Sequence, residues 1–185
     1  MKKSAIQIDT GYFSRYIELA GDGNLNEELE NKIRMLDQLD LKTLERVGDL
    51  RYAPGKWTLK SVIQHMIDAE RIFQYRALRF ARGDRTPLHG FEQDDYAAAA
   101  ETRHRGMADL MEEWRTVSQS SLALFRSLPK EALQQTGVAS GNTLSVLALG
   151  FLIVGHQIHH LRIIRERYLP LAVPVEDNPD EPGRH

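Results

Sequence analysis

Cysteine is absent from the 185 residues. That absence excludes disulfides, thiolate metal sites and a cysteine nucleophile, so any metal must be held by His, Asp or Glu. Long apolar runs are missing too. The longest candidate, residues 143–155, falls short of the about 18 residues a membrane span needs, and it ends in histidines. Charge of one sign does not dominate. The formal net charge is −2, which argues against a general nucleic-acid binder, whose surface needs clustered positive charge. The opening residues, MKKSAIQIDTGYF, are too polar for a secretory h-region. The expectation is a cytoplasmic chain with no membrane and no nucleic-acid partner. Its 42% hydrophobic and 27% charged residues are those of an ordinary globular protein, and its length fits one domain with a full core.

No strand pattern competes with helical spacing. Leu25, Leu29, Ile33 and Leu36 mark a first long helix over residues 24–37. A short helix over residues 12–19 precedes it, and a further turn or two over residues 41–47 follows. The Tyr52-Ala53-Pro54-Gly55 turn and the capping residue Thr58 open a second helix, residues 59–82, which stops at Gly83. Residues 84–100 read as a long ordered loop with a helical turn near Tyr96, and loops of that length are often functional. A third helix spans residues 104–127, with Trp114 in its core stripe. Pro129 breaks it, and one short turn ends at Leu133. Ser140-Gly141-Asn142 reads as a loop with a capping residue, opening a fourth helix over residues 143–168. The fold class is therefore all-α: an antiparallel-type four-helix bundle with one or two long crossovers and short extra helical turns. Residues 1–170 form one domain. Residues 171–185, rich in proline and acids, are expected to be a flexible or disordered tail.

The sequence GHQIHH, Gly155 to His160, carries the chemistry. His156 and His160 are four apart, a rotation of roughly 40° and a rise of about 6 Å on a helix, so their imidazoles share one face. Leu149, Leu152, Ile153 and Ile163 fall within roughly 60° of His156 on that face. His159 stands at its edge, as a partly exposed residue or a donor beside the ligands. His65 lies on an apolar stripe of the second helix. Three such histidines on two packed helices make a site for a divalent metal with open positions. A core-facing histidine is otherwise a hydrogen-bonded structural residue, and coordination is one way to satisfy several buried imidazoles.

Other groups have two readings. Asp68, at the border of the His65 face, either accepts the free N–H of a histidine or pairs with Arg71. Arg71, Arg76, Arg79, Arg82 and Arg85 either pair with Glu92, Asp94 and Asp95 or form a mouth for an anionic substrate group, since Arg76 and Arg79 share the His65 face. Glu101 and His104 show a Glu-x-x-His spacing, but a di-iron bundle needs two of these, and this one is read as accidental. Trp57 and Trp114 read as core.

Tyr52-Ala-Pro-Gly-Lys-Trp-Thr, His65-Met-Ile-Asp68-Ala-Glu70-Arg and Gly155-His156-Gln-Ile-His-His160 together resemble the DinB family, and within it the YfiT-like branch of metal-dependent enzymes. The resemblance covers residues 12–169. It implies a four-helix bundle, a three-histidine centre on His65, His156 and His160, and a homodimer. It also implies a zinc or nickel ion and a low-molecular-weight thiol cosubstrate of the bacillithiol or mycothiol type. The implied reaction on a small-molecule substrate is thiol transfer to an electrophile, with Asp68 tuning a ligand and Arg76 or Arg79 gripping a carboxylate of the thiol. A cysteine-free chain suits this, because the sulfur nucleophile arrives with the cosubstrate. Two alternatives stay open: a hydrolase using metal-bound water, and a non-catalytic, stress-related metal-binding bundle.

Overall fold

Capping chemistry sets where the helices begin. In the computed structural model, which describes residues 1–172, α1 (Ser14–Ile17) precedes α2 (Leu25–Leu36). Asn24 and Glu27 close a capping box at the start of α2. Asp40 caps α3 (Leu41–Val47), accepting from Lys42 N and Thr43 N. Thr58 caps α4 (Leu59–Ala81) by accepting from Ser61 N at 3.1 Å. At the other end of α4, Gly83 has φ +80°. There Gly83 N donates to Phe80 O at 2.9 Å and Asp84 N to Arg79 O at 3.0 Å, the paired bonds of a Schellman stop. The long loop carries α5 (Gln93–Ala99). Then come α6 (Met107–Arg126), α7 (Lys130–Leu133) and α8 (Val146–Ile163). A π turn (Ile164–Tyr168) and a 3-10 turn (Leu169–Leu171) prolong α8.

Three boundaries differ from the sequence reading. A hairpin, β1 (Thr136–Ala139) and β2 (Asn142–Ser145), occupies the stretch read as a loop and a helix start, so α8 begins three residues later, capped by Ser145. The hairpin turn is Ser140-Gly141, with φ +50° and +74°; positive φ at both central residues matches the right-handed twist of the paired strands. The third helix starts at Met107, because Thr102–His104 forms a separate 3-10 turn after Glu101, whose φ is +44°. The expected tail lies outside the described residues except for Leu171 and Ala172, which pack against the cluster containing Leu36 and Leu44.

The bundle is four-cornered, with α4 touching α6 and α8, and α2 touching the same two. Helices consecutive among the four, α2 to α4 and α6 to α8, are therefore diagonal partners. The core shows the directions. One apolar cluster holds Leu25 and Leu29 of α2, Phe73 and Phe80 of α4, Phe125 of α6 and Leu149 of α8. The other holds Leu36, Ile63, Leu110 and Leu161 of the same helices. Thus α4 and α6 run the same way and are neighbours, a departure from an all-antiparallel bundle. Their connection must return the whole length of a 23-residue helix, about 34 Å at 1.5 Å per residue, which is why residues 82–106 form so long a link. The stretch Val146–Leu171 is apolar and long enough to cross a membrane by composition, but 72% of its most apolar window is buried inside the bundle, as a core helix requires.

Between the two clusters lies a polar layer. Lys32 Nζ donates to Glu70 Oε2 at 2.7 Å and to Ser118 Oγ at 2.5 Å, and Ser121 Oγ donates to Glu70 Oε1 at 2.6 Å. Gln157 Nε2 donates to the Lys32 carbonyl at 2.8 Å. One helix supplies each member: α2, α4, α6 and α8. The ion pair is 1% and 4% exposed, so its stability depends on the Ser118 and Ser121 hydroxyls.

Candidate metal centre

His65 projects from the second turn of α4, and His156 and His160 from the last turns of α8. Their Nε2 atoms converge. His65 Nε2 and His156 Nε2 are 3.3 Å apart, and His160 Nε2 and His156 Nε2 are 3.2 Å apart. Donor atoms of all three lie within 4.8 Å of one another. Nitrogens about 2.0–2.1 Å from a tetrahedral ion stand about 3.3 Å from each other, so the spacing fits a divalent metal. The chemistry fits as well. With the ring proton of each imidazole on Nδ1, the three Nε2 lone pairs point into one space, and a cation satisfies all of them at once.

Burial keeps these imidazoles neutral, the form that ligates. It pushes His65 down to about 4, with Asp94 pulling in the opposite direction. It pushes His160 down to about 3, and the nearby imidazoles add to this. His156 is driven well below its ordinary value by burial, by the neighbouring histidines and by Lys32. Aromatic rings fix the imidazole planes. Trp57 lies 5.0 Å from His65, and Tyr16 and Phe73 lie 5.5 Å and 5.6 Å from His156, centroid to centroid. His160 Nδ1 is buried without a partner among the described residues.

A cavity of about 310 Å³ opens above His160. Trp57, Val62, Ile163 and Tyr168 give it apolar walls, and Lys56, Gln93 and Asp94 give it a polar rim. Tyr168 is held in place by donating its hydroxyl to Trp57 O at 2.7 Å.

The other sequence candidates are placed elsewhere. Asp68 accepts from Gln64 Nε2 at 2.9 Å, a partner neither of its two readings named, and stands 3.9 Å from Arg71, whose guanidinium donates to Glu113. Arg76 shares the His65 face but sits 11 residues further on, about 16 Å along the axis. Its guanidinium is buried, donating to His89 O at 3.0 Å and Ser140 Oγ at 2.8 Å, where it ties the long loop to the hairpin. Arg79 pairs with Asp84 and Tyr75. Neither arginine lines the cavity. His159 flanks the cluster, with its ring 5.0 Å from His160 and 5.2 Å from Tyr16. Glu101 and His104 join no ligand group among the described residues. Trp57, read as core, packs against the cluster containing Leu36 and Leu44 and also lines the cavity. The sequence reading gave no site role to Tyr168 or Asp94, nor any to the Lys32–Glu70 layer. Glu70, an acid between Ala69 and Phe73 on a buried stripe, was the one local signal for that layer.

A buried three-histidine cluster, open on one side and set in a four-helix bundle, defines a metal-binding helical bundle. The model of the DinB superfamily matches residues 28–164, and the chain belongs to that superfamily. Its fold is similar to that of YfiT from Bacillus subtilis, with a TM-score of 0.65 at 16% identity, over 90% of this chain and 91% of that one. YfiT is described as a probable metal-dependent hydrolase with an unusual four-helix bundle topology. No curated protein matches the chain.

Proposed function

We propose that the protein is a metal-dependent enzyme acting on a small molecule, with His65, His156 and His160 holding a zinc or nickel ion. The observation that carries this is the convergence of three neutral imidazole nitrogens, one of which, on His160, lines a cavity with apolar walls and a polar rim. When bound, the ion lowers the pKa of a ligand in its open position. The chain's own residues do the rest. Trp57 and Tyr168 exclude water and shape the cavity for a compact apolar group, and Lys56 offers its ammonium to an anionic one. The nucleophile is a low-molecular-weight thiol. Its S–H proton is released, an S–C bond forms with the electrophile, and the leaving group departs with its electron pair. The homodimer implied by the resemblance belongs to the same proposal.

Elemental analysis of untagged protein beside His65→Ala and His160→Ala tests the metal. About one ion per chain, lost in both variants with helicity retained, is expected. Full occupancy in either variant, or none in the native protein after reconstitution, overturns the reading. Hydrolysis is the second reading, favoured by the description of YfiT. Turnover of an electrophile panel that depends on added thiol selects transfer, and turnover without thiol selects hydrolysis.

A further inference from the structure

The link from α4 to α6 must travel back along α4, and on the way it lays α5 against that helix. No side chain of α5 is buried, so α5 is not there to fill the core. It supplies one wall of the cavity above His160, through Gln93 and Asp94. Asp94 carries the single carboxylate among the described residues that lines this cavity. It is not among the donors that lie within 4.8 Å of one another, so it stands off from the ligand set. Even so, its charge acts on His65. A carboxylate that shares a cavity of small-molecule size with His160 is placed to act as a general base. The other polar side chains that line it, Lys56, Gln93, Tyr52, Tyr168 and His160, are not carboxylates. Lys56 is a cation, Gln93 does not titrate, and the Tyr168 hydroxyl is pushed up to about 12 by burial and already donates to Trp57 O.

We propose that Asp94 is a catalytic residue, the proton acceptor for the nucleophile that enters the cavity between its carboxylate and His160. The proton passes from the nucleophile's O–H or S–H to Asp94 Oδ, the electron pair stays on oxygen or sulfur, and the carboxylic acid then returns the proton to the leaving group. The assignment rests on the metal-centre reading above.

The test uses the cobalt(II)-loaded protein, whose visible spectrum followed against pH reports ionisation of a water ligand in the open position. Three forms are compared: native, Asp94→Asn and Asp95→Asn. Asp95 borders a different groove, with Asp68 and Arg71, and controls for loss of one nearby charge. Removing a negative charge beside the ligand eases its deprotonation, so the midpoint of Asp94→Asn should fall by about one pH unit or more. Cobalt content should be unchanged, and Asp95→Asn should titrate like the native protein. An unmoved midpoint in Asp94→Asn overturns the assignment, as does an equal shift in both variants. Loss of cobalt from Asp94→Asn also overturns it, because Asp94 would then be a ligand. Failure of the native protein to take up cobalt defeats the metal-centre reading itself, an outcome distinct from cobalt uptake with an unmoved midpoint.

Discussion

Three imidazoles that stay neutral in the folded chain make its stability depend on pH. Their folded values lie below the ordinary 6.5, at about 4 for His65 and about 3 for His160. The unfolded chain therefore takes up protons first as pH falls, and stability drops with it. The contribution is complete above about pH 6.5 and is lost progressively as pH falls toward 4 for His65 and toward 3 for His160. Thermal melts of metal-free protein should show the melting temperature falling across that window, and a flat profile would contradict neutral burial. Metal competes with those protons, so zinc-loaded protein should hold its melting temperature to lower pH and release the ion where the drop begins. The positions of His65, His156 and His160 were legible from helical spacing. The partner of Asp68 was not, because Gln64 and Arg71 compete for it within one turn of the same helix.

At the scale of elements, α8 depends on close approach. A Cβ on Gly155 would stand 1.8 Å from the Tyr16 carbonyl oxygen, which is backbone and cannot swing away. Gly155→Ala should cost about 3 kcal/mol or more in urea unfolding, through overpacking. Gly150→Ala should cost less, because its Cβ meets the side chains of Leu25 and Phe125 at 2.7 Å and 3.0 Å, and side chains can shift. Equal costs would show that the packing of α1 on α8 is not rigid. The hairpin before α8 had a local signal, Ser140-Gly141 between Thr136-Gly-Val-Ala and Asn142-Thr-Leu-Ser. Two four-residue strands are too short to outweigh the helical run that follows. What stabilises them is tertiary: Leu88 N donates to Val138 O at 2.9 Å and Ser140 N to Leu88 O at 3.0 Å.

At the scale of the molecule, the core is two apolar halves joined through a charged layer. Lys32→Met strands Glu70 as a buried unpaired carboxylate and should cost about 3–5 kcal/mol, whereas Lys32→Met with Glu70→Leu should recover most of that loss. Chemical denaturation of the single and double variants measures the difference, and additive losses would show that the pair is not a unit. Metal should stabilise the whole bundle. At about 100 times its dissociation constant it adds about 2.7 kcal/mol, or roughly 5–11 °C of melting temperature for a chain of this size. Calorimetry with and without a chelator reads that shift, and its absence would place the ion outside the folded core.

Periodicity and capping residues determined most of what the chain does locally: four long helices, the Thr58 and Gly83 limits of α4, and the one face that carries His156 and His160. Those are short-range consequences of 3.6 residues per turn and of end groups that need partners. Which helices are neighbours was decided only by packing. Because α4 and α6 lie side by side and run in one direction, residues 82–106 must return along the bundle, and that return brings Asp94 to the site while leaving Arg76 and Arg79 turns away from it. Likewise Lys32, Glu70, Ser118 and Gln157 lie on four separate helices, and no spacing along the chain relates them. Their common level exists because each buried polar group needs a partner and only the assembled core supplies one.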